Sequence, residues 1–231
     1  MHLVKHIFFD LDRTLWDFEK NAFETLAELF QLHALQSRGV SSLEDFINCY
    51  KKHNESLWAL YREGKVTKEI LRSKRFRLAL GEFGIQDDYL AKKLGDQYIQ
   101  QCPLKTNIFP FTHEVLSYLQ EKYHLHIITN GFEEVQHVKL EQSKLSPYFE
   151  QIITSEQVGV KKPDPAIFQY ALQKASSNAN QSIMIGDDLP VDILGAKAIG
   201  MKQVYFNPHQ EAHQEELTHE ITCLSELMTL L

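Results

Sequence analysis

Asp10 and Asp12 lie two residues apart, directly after the apolar run His6–Phe9, and Thr14 follows them. Two like charges at the mouth of a strand repel each other unless water or a cation compensates them. Three more polar groups follow short apolar runs later in the chain. Thr129-Asn130-Gly131 ends "HLHIIT", Lys161 and Lys162 follow "QIITS", and "SIMIGDD" closes on Asp187 and Asp188 with Asp192 four residues on. Carboxylates gathered with a hydroxyl and a lysine suit a hard cation with oxygen ligands, and Mg²⁺ is the expected cofactor. Asp10 and Asp187 would hold the ion. Asp10 would attack phosphorus to form an aspartyl-phosphate. Asp12 would protonate the leaving oxygen and later activate water. Thr129, with Asn130 beside it, and Lys162 would hold the nonbridging phosphoryl oxygens.

The surrounding elements must bring these residues together. From Pro103 onward, short apolar runs alternate with helical patterns over Thr112–Lys122, Glu133–Leu140, Ala166–Ala175 and Val191–Ile199. That rhythm predicts a parallel sheet covered on both faces, and His6–Phe9 joins it. In such a sheet ligands sit beyond the carboxyl ends of the strands, where every polar group above falls. Asp164-Pro165 is a helix start signal. Between Phe18 and about Gln101 the pattern is helical instead. Ala22, Phe23, Leu26, Leu29 and Phe30 mark one helix, and Leu43, Phe46, Ile47, Tyr50, Leu57 and Tyr61 a second, with Ser41 and Glu44 as its capping box. Thr67 starts a third through Ile70 and Leu71, and Leu90, Leu94 and Tyr98 stripe a fourth. The fold class is thus α/β, a Rossmann-like parallel sheet core (1–16 and 102–231) with an all-helical cap of about four helices (17–101) inserted after the first strand.

Composition is consistent with this. The chain has 231 residues, 43% hydrophobic and 11% aromatic, enough for a buried core. A net charge of −7 argues against binding a nucleic-acid polymer. No apolar stretch approaches the roughly 18 residues of a membrane span, and nothing in the sequence points to a protein partner. Three scattered cysteines, Cys49, Cys102 and Cys223, fit a reducing compartment. The short N-terminal apolar run is broken by Asp10 and Asp12, so a cytoplasmic location is expected.

Taken one by one the motifs are weak, and a D-x-D after a strand is by itself usually a solvated turn. Four in order, each at a strand end, resemble the motifs of the haloacid dehalogenase-like hydrolase superfamily: DxDxT (Asp10, Asp12, Thr14), Thr129, the Lys-Pro motif "KKPDPAIF" with Lys162, and GDxxxxD (Asp187, Asp192). The resemblance implies that Asp12 also lends a backbone carbonyl to Mg²⁺, and that Asp192, with Asp188, supports the metal site from behind its direct ligands. Arg13 stands where Gly or Asp is common in that family, and Phe111 where Gly often follows Pro110. "LWDFEKN" and "LWALYREGKVTKEILRSKRF" are similar to the branch containing pyrimidine 5′-nucleotidases, which implies a phosphatase acting on small phosphate monoesters, (deoxy)pyrimidine nucleoside monophosphates among them. Trp16, Phe18, Trp58, Tyr61, Arg62, Arg72 and Arg75 are the candidates for recognising the leaving group.

Rival readings are a sugar phosphomutase or a phosphoglycolate-type phosphatase on the same scaffold, a haloacid dehalogenase and a noncatalytic binding protein. A dehalogenase needs neither an acid to protonate halide nor a metal, so Asp12 and Asp187 speak against it. His209 and His213 have i, i+4 spacing for a metal on a helix, but lie in a polar stretch. His124 and His126 alternate along a strand and read as structural.

Overall fold

The computed structural model describes residues 4–231. The chain forms two compact units: the N-terminal residues through Phe18 with Thr106–Leu231, and Glu19–Lys105. Helices α1 (Phe18–Leu32), α2 (Leu43–Arg62), α3 (Lys68–Gly81) and α4 (Asp88–Gln101) build the second. Its interior stacks Tyr50, Phe76 and Tyr98, with ring centroids 5.0–5.7 Å apart. Thr67 caps α3 by accepting from Ile70 N–H, as the pattern predicts. The cap of α2 falls one residue later than expected. Ser42, not Ser41, accepts from Asp45 N–H, while both serine hydroxyls donate to the Asp45 carboxylate. Phe23 and Ile70 lie on the outer edge of their helical stripes and are exposed.

In the first unit six strands run parallel in the order β3-β2-β1-β4-β5-β6. They are β1 (His6–Phe9), β2 (His124–Thr129), β3 (Gln151–Thr154), β4 (Ser182–Gly186), β5 (Lys202–Phe206) and β6 (His219–Ile221). Parallel strands covered on both faces are buried at every position, as "SIMIG" is, and its one polar side chain, Ser182, donates to Asn178 C=O at 2.8 Å. Helices α5 (Thr112–Gln120), α6 (Glu133–Gln142), α7 (Ser155–Val158), α8 (Pro165–Lys174), α9 (Leu194–Ala198) and α10 (Leu227–Leu230) complete the unit. Phe8, Ile128, Ile153 and Met184 pack against Ile167, Phe168 and Ala196 in one core layer. A fully buried side chain of this kind contributes about 1.5–3 kcal/mol.

Two sequence readings need correction. Val191–Ile199 is not one helix: a π-turn over Leu189–Ile193 precedes the short α9. The segment carrying His209 and His213 is not helical at all, so the i, i+4 argument lapses. His213 instead approaches Glu220 at 3.1 Å. The edge strand β6 escapes the apolar pattern because it has three residues, two of them exposed. Among the described residues no helix is long and apolar enough to cross a membrane.

Candidate active site

Strand order reverses on either side of β1, so the β1–β4 pair is the switch point at which a doubly wound sheet opens a crevice. Register sets the depth of the site. Phe9 pairs with Ile185, and Asp10 N–H donates to Ile185 C=O at 2.9 Å. The residue after β1 is thus brought beside the residue after β4. Asp10, Asp187 and Asp192 each present a carboxylate oxygen, and the three lie within 4.8 Å of one another. Asp192 reaches this group because the π-turn delivers it and Gly186 has no side chain. A Cβ on Gly186 would stand 2.3 Å from Asp192 Oδ2. Asp192, which the sequence reading placed behind the direct ligands, therefore stands inside the cluster. Asp188 serves as the N-cap of the π-turn, accepting from Val191 N–H at 3.1 Å.

Lys162 enters this cluster from the segment before α8. It is 1% exposed. Its Nζ donates to Asp10 Oδ1 at 2.5 Å and to Ile128 C=O at 2.8 Å, and pairs with Asp192 Oδ1 at 2.6 Å. Asn130 fixes the Lys162 backbone from both sides. Its Nδ2 donates to Lys162 C=O at 2.9 Å, and its Oδ1 accepts from Lys162 N–H at 2.8 Å. The carboxamide of Asn130 is thus turned toward Lys162 and positions that lysine, a different task from the direct phosphate contact expected of it. Thr129 accepts from Gly131 N–H through Oγ1 at 3.1 Å, in the turn that opens α6. Thr14, which stands in the first motif without an assigned task, donates to Asp187 Oδ1 at 3.2 Å.

Electrostatics follow from the crowding. Burial pushes the Asp10 carboxyl up to about 7; Lys162 pulls it down, and Asp192 and Asp12 push it up. Burial likewise raises Asp187, with Asp10 and Asp192 adding to the shift. Asp192 is raised by burial against the pull of Lys162. Burial opposes the charge on Lys162, but Asp10 and Asp192 outweigh it and its pKa is raised. Lys162 thus pairs with two of the three crowded carboxylates, while Arg13 pulls the third, Asp187, down, and a hard dication fits the all-oxygen donor set.

Asp12 is held by a different element. Its oxygens accept from Lys139 Nζ at 2.6 and 2.8 Å and from Gln136 Nε2 at 2.8 Å, both on α6. The sequence carries no signal for this pair beyond their i, i+3 spacing, which puts them on one helix face. The aromatic and basic candidates divide. Trp16 is interior to the first unit, beneath Lys139 Nζ at 4.3 Å, and Phe18 lies 4.5 Å beneath the Arg13 guanidinium. In the helical unit Arg75 is interior, donating to Asn54 Oδ1 at 3.0 Å and lying 4.6 Å over Tyr98. Tyr61 is buried with Trp58 edge-on to it at 5.4 Å. Trp16, Tyr61 and Arg75 are thus buried among these partners. Arg62 is exposed, and Trp58 and Arg72 are half-buried.

The comparisons with known proteins agree with this geometry. The family model for haloacid dehalogenase-like hydrolases matches residues 7–206. The pyrimidine 5′-nucleotidase PynA of Streptococcus pneumoniae is 32% identical, covering 98% of this chain and 94% of its own. The pyrimidine 5′-nucleotidase YjjG of Escherichia coli is also 32% identical, over 97% and 96%. The crystal structure of the HAD-hydrolase YfnB from Bacillus subtilis, bound to magnesium, superimposes with a TM-score of 0.88 at 29% identity, over 99% of this chain and 98% of that one. A match running from β1 to β5, across all four motifs, leaves one conclusion: the chain belongs to the haloacid dehalogenase-like hydrolase family.

Proposed function

We propose that this protein is a Mg²⁺-dependent phosphatase of small phosphate monoesters, with a preference for pyrimidine nucleoside monophosphates. The observation that carries the reading is the buried meeting of Asp10, Asp187 and Asp192 with Lys162 at the switch point of the sheet. Asp10, Asp187 and the Asp12 backbone carbonyl would hold the ion, with Asp192 close by. When bound, it would supply charge that favours the ionised carboxylates and neutralises the phosphoryl oxygens. Asp10, oriented by Lys162 on Oδ1, forms the bond to phosphorus as the bond to the leaving oxygen breaks, and Asp12 gives that oxygen its proton. Asp12 then takes a proton from water, whose oxygen displaces Asp10 and releases inorganic phosphate. Thr129 and Lys162 face the transferred group with a hydroxyl and a positive charge, where charge develops in the transition state. The preference for pyrimidine nucleotides rests on the two nucleotidase relatives. The helical unit is proposed as the cap that selects the leaving group.

The test has two parts. Phosphate release from an aryl phosphate should stop in EDTA and return with Mg²⁺, and Asp187→Ala should need far more metal or stay inactive. Magnesium binding to Asp187→Ala with unchanged affinity would remove Asp187 from the metal site. On a substrate panel, UMP, dUMP or dTMP should show higher kcat/KM than phosphoglycolate or glucose phosphates. A tenfold advantage for the latter, about 1.4 kcal/mol, would refute the nucleotidase reading and leave the phosphatase reading standing.

A further inference from the structure

Asp12 is held more tightly than a solvated acid–base group needs to be. Both of its oxygens are occupied by donors from α6: Oδ1 by Lys139, and Oδ2 by Lys139 and Gln136. Neither donor is a surface group. Lys139 is 4% exposed and Gln136 1%. The ammonium of Lys139 rests on an aromatic floor, 4.3 Å from the Trp16 ring centroid and 5.9 Å from that of Phe18. Trp16 is itself fixed to the β1 loop, since its C=O accepts from Arg13 N–H and its N–H donates to Leu11 C=O.

Gln136 is there for its donor. Its Oε1 is buried with no hydrogen-bond partner, a cost of about 1–3 kcal/mol that an apolar residue would avoid. Its amide also occupies the space a side chain at residue 131 would fill, for a Cβ on Gly131 would stand 1.4 Å from Gln136 Nε2. Gly131 closes the Thr129-Asn130-Gly131 turn. The segment carrying Thr129 is thus built to let Gln136 through to Asp12.

We propose that Gln136 and Lys139 are positioning residues for Asp12, a two-armed clamp that aims the acid–base carboxylate and locks the β1 loop to α6. The proposal rests on the phosphatase reading. A clamp of this kind acts on proton transfer and not on substrate affinity. Its loss should therefore fall on phosphoryl transfer, read as kcat/KM, and most on substrates whose leaving oxygen needs a proton.

The experiment compares wild type, Lys139→Met, Lys139→Arg and Gln136→Leu on an aryl phosphate with a good leaving group and on an alkyl phosphate. Each variant is also made in the Asp12→Ala background, with folding checked by circular dichroism and thermal melting. Lys139→Met should lower kcat/KM on the alkyl phosphate by about tenfold or more, with a clearly smaller loss on the aryl phosphate. Lys139→Arg, which keeps the charge and can offer two donors to one carboxylate, should recover most of the loss. In the Asp12→Ala background Lys139→Met should cost nothing further, because the residue through which it acts is gone. Gln136→Leu keeps the volume and should show the same signature at smaller amplitude, so the question stays answerable if Lys139→Met does not fold. Equal losses in kcat/KM on both substrates, or the same loss with and without Asp12, would overturn the proposal. A folded wild type that hydrolyses no phosphate monoester would refute the phosphatase reading, and the clamp with it.

Discussion

Lys162→Met keeps an unbranched side chain and removes only the ammonium. In the wild type that ammonium meets Asp10, Asp192 and the Ile128 carbonyl at 2.5–2.8 Å, in a residue 1% exposed, so water has no room to replace it. Breaking one buried ion pair costs about 3–5 kcal/mol. Here two carboxylates are orphaned together, so we expect the upper part of that range in metal-free solution above neutral pH. Against a typical total stability of about 5–15 kcal/mol, that is enough to see in any denaturation curve.

The loss should depend on pH, with a definite sign. Burial already raises Asp10 from 3.8 to about 7, and raises Asp187 and Asp192, even with Lys162 present. Removing the lysine takes away the interaction that lowers Asp10 and Asp192, so both rise further. A folded state that holds more protons than the unfolded chain loses stability as pH rises. The deficit of the variant should therefore be small near pH 4 and grow as pH climbs through the raised folded values, by about 1.4 kcal/mol per pH unit for each extra proton held. Urea unfolding of both proteins in EDTA between pH 5 and 8 reads this directly. A deficit under about 1 kcal/mol at pH 7.5, or one that does not change with pH, would refute the claim that Lys162 compensates these acids.

Asp10→Asn should abolish turnover while the protein stays folded and no less stable, since it removes a charge that burial opposes; substantial hydrolysis by the pure variant would exclude Asp10 as nucleophile. Phe111 has φ 67° at the N-cap of α5 and a half-exposed side chain, so Phe111→Gly should stabilise by about 0.5–1 kcal/mol after the entropy of an extra glycine is counted, as a melting curve will show. His126 is fully buried, its pKa lowered to about 4 by burial and then by His6, 3.1 Å away. Its folded value lies below the unfolded 6.5, so the wild type should lose stability as pH falls from 6.5 toward 4. Chemical denaturation of His126→Phe should show part of that loss removed, and an unchanged pH dependence would acquit His126.

Much of the core is readable from the chain because β1 to β5 each carry a short apolar run, and polar groups follow the runs of β1 to β4. The parallel sheet and the gathering of Asp10, Asp187, Asp192 and Lys162 follow from that alone. What stays hidden has physical causes. The clamp on Asp12 joins residues 127 apart, and neither Gln136 nor Lys139 differs in kind from an ordinary polar residue on a helix surface. The π-turn is invisible because Val191 and Ile193 also fit a regular helix, and only the requirement that Asp192 reach Lys162 distinguishes the two. The departures at Arg13 and Phe111 have a shared explanation. Both residues have positive φ, 64° and 67°, in the left-handed region where glycine or aspartate is the easier occupant. The family pattern at these positions reflects backbone shape, which this chain meets with side chains that must absorb the strain.

The central place of β1 also bears on how the molecule is made. It is synthesised before the other five strands of its sheet, and its partners His124 and Ser182 belong to strands made after the whole of Glu19–Lys105. The helical unit is contiguous, so its contacts are local and can close as it emerges. During that interval the "HIFF" strand has no neighbour on either side, and both of its backbone edges are open to another nascent chain. Asp10 and Asp12, so costly in the finished site, stand at the end of that strand throughout the interval. There their charge would work against intermolecular pairing, the effect expected of charges that flank an apolar strand.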